Sequence, residues 1–124
     1  MYTCQKADEY IEKNRVDRAD KPEFHLTTPV GWLNDPNGFS IYGGKAHLFY
    51  QFHPYSTEWG PMHWGHSTSD DFIRWEELPT ALAPDSDYDA FGCFSGTAIE
   101  NDGKHVLFYT GVVEEKLAGG TKNV

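Results

Sequence analysis

Two stretches of this sequence repeat one strand–turn–strand pattern, and this repeat constrains the fold more than any other feature. Residues 38–50 and 96–109 share an initial glycine, a Gly-Lys pair at the turn and a Leu-Phe-Tyr run after it, with a second turn expected to be one residue longer. Repeats of roughly 50 residues or more built from antiparallel strands are typical of β-propeller blades. The alternative is chance similarity between two hairpins with common turn chemistry.

The same pattern predicts the order of the elements. In the first unit we predict four strands, over 38–42, 46–52, 62–68 and 73–78. The second unit is expected to contain two strands before the sequence ends. A propeller closes only with about four or more blades, so we expect an all-β fold with blade one and part of blade two in this chain.

A short helix is expected ahead of the strands. Apolar residues alternate with charges over residues 5–18, without Gly or Pro, which indicates an amphipathic helix. Pro22 disfavours helix in the preceding residue. The chain is therefore divided into an N-terminal segment, 1–22, and an incomplete propeller domain, 23–124.

Composition and charge exclude several classes of partner. With 10 Lys and Arg against 19 Asp and Glu, the net charge of −9 repels nucleic acid. The aromatic content of 15% favours strands and surfaces on which sugars stack. The sequence shows no signal-peptide pattern and no apolar run of about 18 residues, so we expect a cytoplasmic protein without a membrane span. The sequence does not indicate an oligomeric state.

The string WLNDPNG, residues 32–38, combines two strong turn signals, Asp-Pro and Asn-Gly, with two large apolar residues. We predict a turn at this point. Either Asp35 closes the turn with its side chain, as most Asp-Pro pairs do, or the turn exists to present Asp35. The local sequence leaves both readings open.

Three strings, WLNDPNG, the Trp59-Gly60 pair and the FSG run at 94–96, occur together with the repeated hairpins. From about Phe24 to Gly111 the chain resembles glycoside hydrolase family 32, the invertases and fructan hydrolases, and in particular the intracellular bacterial sucrose-6-phosphate hydrolases. The resemblance implies a five-bladed propeller with an axial, funnel-shaped site. It also implies hydrolysis of terminal β-fructofuranosides with retention, by two carboxylates roughly 5 Å apart.

The resemblance assigns roles to residues present here. Asp35 is implied as the nucleophile, a role that requires hydrogen-bond donors or a polar setting to keep the carboxylate ionised. The implied substrate-binding residues, which hydrogen-bond or wall the fructose, are Trp32, Asn34, Gln51, Trp59, Phe94 and Ser95. For Gln51 we expect the amide to brace Asp35 or a sugar hydroxyl. Without the resemblance, each of these side chains has an ordinary structural explanation.

No cofactor or metal is expected. His63 and His66 lie three residues apart on a predicted strand and so face opposite sides, and the remaining histidines lack ligand spacing. Cys4 and Cys93 form no metal pattern, and a disulfide between them is not expected. The acidic runs at 69–72 and 84–89 are expected to be solvated loops.

Two further carboxylates of the implied mechanism are missing from the chain. The family places a stabilising Asp in an Arg-Asp-Pro string and the general acid in a Glu-Cys string, and neither string occurs in these 124 residues. We therefore expect a truncated chain, inactive alone, that belongs to a β-fructofuranosidase of the invertase type acting on sucrose, sucrose 6-phosphate or fructo-oligosaccharides.

Two other functions remain open from the sequence. One is a non-catalytic carbohydrate-binding fragment that retains part of the pocket. The other is a related five-bladed enzyme, either an arabinosidase or xylosidase or a fructosyltransferase. The FSGT run at 94–97 and the Trp59-Gly60 pair favour the fructose-specific hydrolases.

Overall fold

The computed structural model describes residues 1–22, 25–117 and 120–123. Within them the chain forms one α-helix, a 3-10 turn over Arg18–Asp20 and eight strands. The elements, in chain order, are α1 Cys4–Asn14, β1 Trp32–Tyr42, β2 Lys45–His53, β3 His63–Ser69, β4 Glu76–Leu82, β5 Gly92–Asn101, β6 Lys104–Val112, β7 Glu114–Leu117 and β8 Gly120–Asn123. This is the expected all-β chain with a short N-terminal helix.

The strands form one complete antiparallel sheet and two hairpins. β1 to β4 pair in sequence order as a four-stranded sheet, the arrangement of one propeller blade, while β5 pairs with β6 and β7 with β8. The prediction of only two strands after the first blade was wrong, because β7 and β8 follow β6. Ala118 and Gly119 lie outside the described residues.

The two repeated hairpins have turns of equal length, which corrects the expected extra residue in the second. Gly43 and Gly44 both have positive φ, as do Asp102 and Gly103, so each hairpin is closed by a two-residue turn. Such turns match the twist of the flanking strands. The extra residue lies in the strand, because two paired residues, Glu100 and Asn101, separate Ile99 from its turn, whereas Tyr42 alone separates Ile41 from its turn.

The string WLNDPNG is not a free turn but the first half of β1. Pro36 is accommodated because β1 is an edge strand of its sheet, where one side of the backbone needs no ladder partner. Pairing with β2 is interrupted twice, between Leu33 and Pro36 and between Asn37 and Ser40. The turn-forming residues therefore produce bulges in a strand that continues past them.

The fourth strand spans Glu76–Leu82, so it begins and ends later than the predicted span of 73–78. The delay has a local cause. Asp71 Oδ1 accepts hydrogen bonds from the amides of Ile73 and Arg74, at 2.9 and 2.7 Å, and these bonds close a turn over residues that the sequence assigned to the strand.

The two faces of the sheet carry different cores because side chains alternate along β2. Tyr50 and Phe52 face α1 and pack with Ile11. Phe49 faces the β5–β6 hairpin and packs with Trp64 and Cys93. Blade one is thus held between the N-terminal helix and the hairpin that follows it.

Helix α1 is shorter than the predicted 5–18 span, since it begins at Cys4 and ends at Asn14. Thr3 caps it by accepting a hydrogen bond from the amide of Lys6. Polar contacts fasten the helical segment to β4: Asp8 Oδ1 accepts the Thr80 amide at 2.9 Å, and Arg15 pairs with Glu77. A cavity of about 220 Å³ lies between the helix and the sheet, on the side away from β5.

Three histidines join the first blade to the hairpin. His47 Nδ1 lies 2.9 Å from His66 Nε2, and the ring of His105 on β6 approaches His47 with 4.8 Å between ring centroids. His105 Nε2 lies 2.8 Å from the Ser40 hydroxyl. Burial, then the neighbouring His47 and His105, lowers the pKa of His66 to about 4. Burial also lowers the pKa of His63 to about 4.

These depressed pKa values predict loss of stability in acid. In the unfolded chain the histidines titrate near 6.5, so between pH 6.5 and 4 the unfolded state binds more protons than the folded state. The free energy of unfolding is expected to fall as pH drops through this window. Urea unfolding at pH 7, 6 and 5 measures it, and His66→Gln should flatten the slope whereas His25→Gln, at an exposed site, should not. An unchanged slope in His66→Gln would contradict this account.

Candidate active site

Asp35 lies on a β-bulge of β1. Asn34 and Asp35 together occupy the space opposite a single residue of β2, Gln51. An extra residue in one strand bends it and redirects its side chains, which is why bulges are frequent beside active sites. The Asp35 side chain is exposed on this edge strand of the sheet. A bulge in β1, and not a turn as the sequence suggested, therefore exposes the Asp35 carboxylate.

A second bulge brings Ser95 to the same place. Ser95 has no counterpart on β6, because its neighbours Phe94 and Gly96 pair with the adjacent residues Thr110 and Tyr109. The Ser95 hydroxyl donates to Asp35 Oδ2 at 3.4 Å. A hydroxyl donor beside a carboxylate stabilises its negative charge. The structure therefore juxtaposes the predicted nucleophile and the predicted hydroxyl residue, from strands 60 positions apart.

Trp32 and Asn34 flank Asp35 and contact each other. The indole Nε1 of Trp32 donates to Asn34 Oδ1 at 2.7 Å. Both side chains are half-buried. This bond fixes the orientation of the Asn34 amide next to Asp35, so the structure brings the two predicted residues together beside the carboxylate.

An aromatic cluster adjoins Ser95. Trp59 is 48% exposed and meets Phe94 edge-on, with ring centroids 6.1 Å apart. Phe91, which the sequence analysis did not single out, completes the cluster at 5.9 Å from Trp59 and 6.2 Å from Phe94. In the sequence, its position three residues before Phe94 was the one feature that could have indicated Phe91 as part of this cluster. Partly exposed ring faces of this kind suit the C–H faces of a sugar.

Gln51 is buried, with 3% of its surface exposed, and its amide nitrogen has a backbone partner on β5. Its Nε2 donates to the backbone oxygen of Cys93 at 3.0 Å. Among the described residues its side chain makes no hydrogen bond to Asp35. Gln51 is thus close to Asp35 in the strand register but connects to β5 through its side chain.

A buried polar group supports the loop before β5. Asp89 is 1% exposed and accepts hydrogen bonds from the Tyr109 hydroxyl at 2.7 Å and the Ser86 amide at 2.9 Å, with the Cys93 thiol at 3.6 Å. Burial and the nearby Asp89 raise the pKa of both Cys93 and Tyr109. The expectation that the 84–89 run is wholly solvated was therefore wrong at Asp89.

Across residues 1–22, 25–117 and 120–123, no group of three or more His, Cys, Asp or Glu side chains has the arrangement of a metal site. Cys4 and Cys93 are both free thiols. Among the helices that the structure describes, none has the length and apolar character needed to cross a bilayer.

Comparison with known proteins identifies the class to which this fold and site belong. Residues 25–123 match the family model of the glycosyl hydrolases family 32 N-terminal domain. The chain belongs to glycoside hydrolase family 32, and its strands form part of the β-propeller of that family.

Individual relatives are similar over most of the chain. It is 55% identical to a sucrose-6-phosphate hydrolase of Escherichia coli over 92 residues, covering 74% of the chain and 19% of the relative. It is 53% identical to a raffinose invertase of Escherichia coli over 107 residues, covering 85% and 22%. The chain thus spans about a fifth of the length of the curated relatives it matches.

Solved structures agree with these matches. The GH32 β-fructofuranosidase BmSUC1 of Bombyx mori superposes with a TM-score of 0.84 at 46% identity, covering 96% of this chain and 25% of that one. A mutant of the same silkworm enzyme is known in complex with sucrose.

Proposed function

We propose that this chain is the N-terminal part of a retaining β-fructofuranosidase in which Asp35 is the nucleophile. The observation that carries the proposal is the meeting of two bulges, which places the exposed carboxylate of Asp35 3.4 Å from the Ser95 hydroxyl. Trp32 and Asn34 contact each other beside Asp35, and Phe94 next to Ser95 contacts Trp59, so polar and aromatic groups suited to a furanose ring adjoin the pair.

The reaction proceeds in two displacements. The Asp35 carboxylate attacks the anomeric carbon of the fructosyl unit, the glycosidic C–O bond breaks, and the departing oxygen takes a proton from a general acid. Water then attacks the fructosyl ester, transfers a proton to the same residue, and releases fructose with its original configuration. Ser95 holds the carboxylate in position before and after the attack.

The acid belongs to a longer polypeptide in this proposal. The chain spans about a fifth of its relatives and contains neither an Arg-Asp-Pro nor a Glu-Cys string. Loss of a general acid slows such reactions by about 10²–10⁴-fold. Residues 1–124 alone are therefore expected to be inactive. The complete protein, a cytoplasmic enzyme that needs no cofactor, is expected to act on sucrose, sucrose 6-phosphate or fructo-oligosaccharides.

The test compares two proteins, residues 1–124 and the product of the complete reading frame that encodes them. Fructose release from sucrose and from sucrose 6-phosphate is measured for both, and the first anomer formed is identified by NMR. We expect release only from the complete protein, with the β anomer first. Near-normal hydrolysis by residues 1–124, or initial release of the α anomer, would overturn the proposal. Sugar binding without hydrolysis by the complete protein would favour a carbohydrate-binding role instead.

A further inference from the structure

The cavity between α1 and the first sheet, which we call the α1 cavity, is lined by a residue whose hydroxyl has no partner. Its volume is about 220 Å³, the share of about seven water molecules at ~30 Å³ each. Thr80 of β4 lines it and is 7% exposed, and its Oγ1 has no hydrogen-bond partner among the described residues. Because buried hydroxyls are nearly always hydrogen-bonded, this orphaned oxygen points to a polar ligand.

A carboxylate without a matching cation adjoins Thr80. Asp8 lines the same cavity, is half-buried, and accepts the Thr80 amide on Oδ1 at 2.9 Å. Among residues 1–22 and 25–114, whose side chains the structure describes, no Lys, Arg or His forms an ion pair with Asp8. The negative charge of this carboxylate is therefore not offset by a neighbouring side chain.

The other charges at the α1 cavity balance one another. Arg15 pairs with Glu12 at 2.8 Å and also with Glu77, and Lys21 pairs with Glu77 at 3.1 Å. These two positive and two negative charges cancel, so Asp8 determines the sign of the net charge. The cavity therefore attracts a cation and repels an anion.

Much of the remaining wall is apolar. It is formed by Ile11 of α1, Tyr50 and Phe52 of β2, and Leu78 and Pro79 of β4. A hard metal ion requires about six oxygen ligands, which this wall does not supply, whereas a short aliphatic chain gains from contact with it. Pockets for drug-sized ligands begin at about 300 Å³, so the α1 cavity fits a smaller molecule.

We propose that the α1 cavity binds a small organic cation, a primary ammonium group on a short aliphatic chain. An ammonium group has three N–H donors and no acceptor. The Asp8 carboxylate accepts one of these donors and Thr80 Oγ1 accepts another, while the aliphatic chain lies against the apolar wall. The site is on the α1 side of the sheet, opposite the face that packs on the β5–β6 hairpin, and so it is separate from the Asp35–Ser95 pair.

Two variants remove the proposed ligand groups and keep their shapes. Asp8→Asn removes the charge and retains an oxygen that can accept the Thr80 amide. Thr80→Val replaces the hydroxyl with a methyl group. The matched controls are Glu9→Gln, at the next position of α1, and Thr57→Val, both at exposed positions outside the cavity lining.

The first measurement is a titration of the complete protein with butylammonium in the absence of sugar, followed by isoleucine-methyl NMR. The Ile11 methyl signal should shift and saturate, while those of the exposed Ile41 and Ile73 should not. 1-Butanol, which has the same length and no charge, should bind at least 10-fold more weakly because it lacks a charge-assisted hydrogen bond. Equal binding of butanol, or no shift at Ile11, would overturn the proposal.

The second measurement repeats the butylammonium titration with the variants. Asp8→Asn should raise the dissociation constant by about 10-fold or more and Thr80→Val by about 3-fold or more, since bonds to a charged partner are the stronger ones. Both controls should stay within about two-fold of the wild type. Unchanged affinity in Asp8→Asn, or an equal loss in Glu9→Gln, would mean general attraction to an acidic protein and would refute the site. Neither measurement involves sucrose, so the outcome is independent of the proposed function.

Discussion

Replacement of Asp35 by asparagine in the complete protein is expected to reduce kcat for sucrose by about 10⁴-fold or more. Loss of the nucleophile removes the covalent step, and enzymes deprived of their nucleophile commonly lose rate on that scale. Asparagine preserves the shape of the side chain and still accepts the Ser95 hydroxyl, so the fold and the bulge should persist. The measurement is initial-rate fructose release, with thermal unfolding recorded on the same sample.

The matched control is Asp87→Asn, at an exposed position of the loop before β5. It removes the same charge from the same type of residue and should leave kcat within about two-fold. Sucrose binding, followed by calorimetry, should survive in Asp35→Asn because the aromatic wall is intact. Turnover by Asp35→Asn equal to that of the control would assign the nucleophile to another residue.

Truncation of Phe49 to alanine is expected to lower the free energy of unfolding by about 3–5 kcal/mol, the usual cost of emptying a buried aromatic site. Phe49 is 2% exposed and stacks on His66 with 4.1 Å between ring centroids. Its ring also meets Trp64 at 5.7 Å and His105 at 5.5 Å. The resulting cavity would lie where blade one and the β5–β6 hairpin join.

Urea unfolding monitored by fluorescence measures this loss. Phe39→Ala serves as the control because Phe39, on β1, is 58% exposed, and the expected loss there is below about 1 kcal/mol. Equal midpoints for the two variants would show that the Phe49 side of the sheet is not a stabilising core.

Periodic features of the sequence predicted the fold well. The repeated hairpins and their glycine turns follow from local chemistry, since a two-residue turn with positive φ needs glycine, asparagine or aspartate. The strings shared with the family predicted Asp35 and its neighbours as residues of one site. By contrast, the bulges of β1 and β5 were not predictable, because Asp-Pro and Asn-Gly signal a reversal of the chain and do not say that a partner strand continues past it.

The contacts of single buried side chains were not predictable from the sequence. The Cys93 carbonyl that the Gln51 amide reaches is 42 residues away in sequence. Asp89 was assigned to solvent, and its donor Tyr109 is 20 residues away. Buried polar groups must find partners, but tertiary packing chooses those partners. Local patterns contain no information about that choice.

The attachment of α1 to β4 has a consequence beyond helix packing. β4 is the last strand of its sheet, and an uncovered last strand offers its backbone to strands of other molecules. Asp8 occupies the Thr80 amide, and Pro79 beside it has no N–H to offer. The N-terminal segment thus covers part of the backbone edge that another strand would need for pairing.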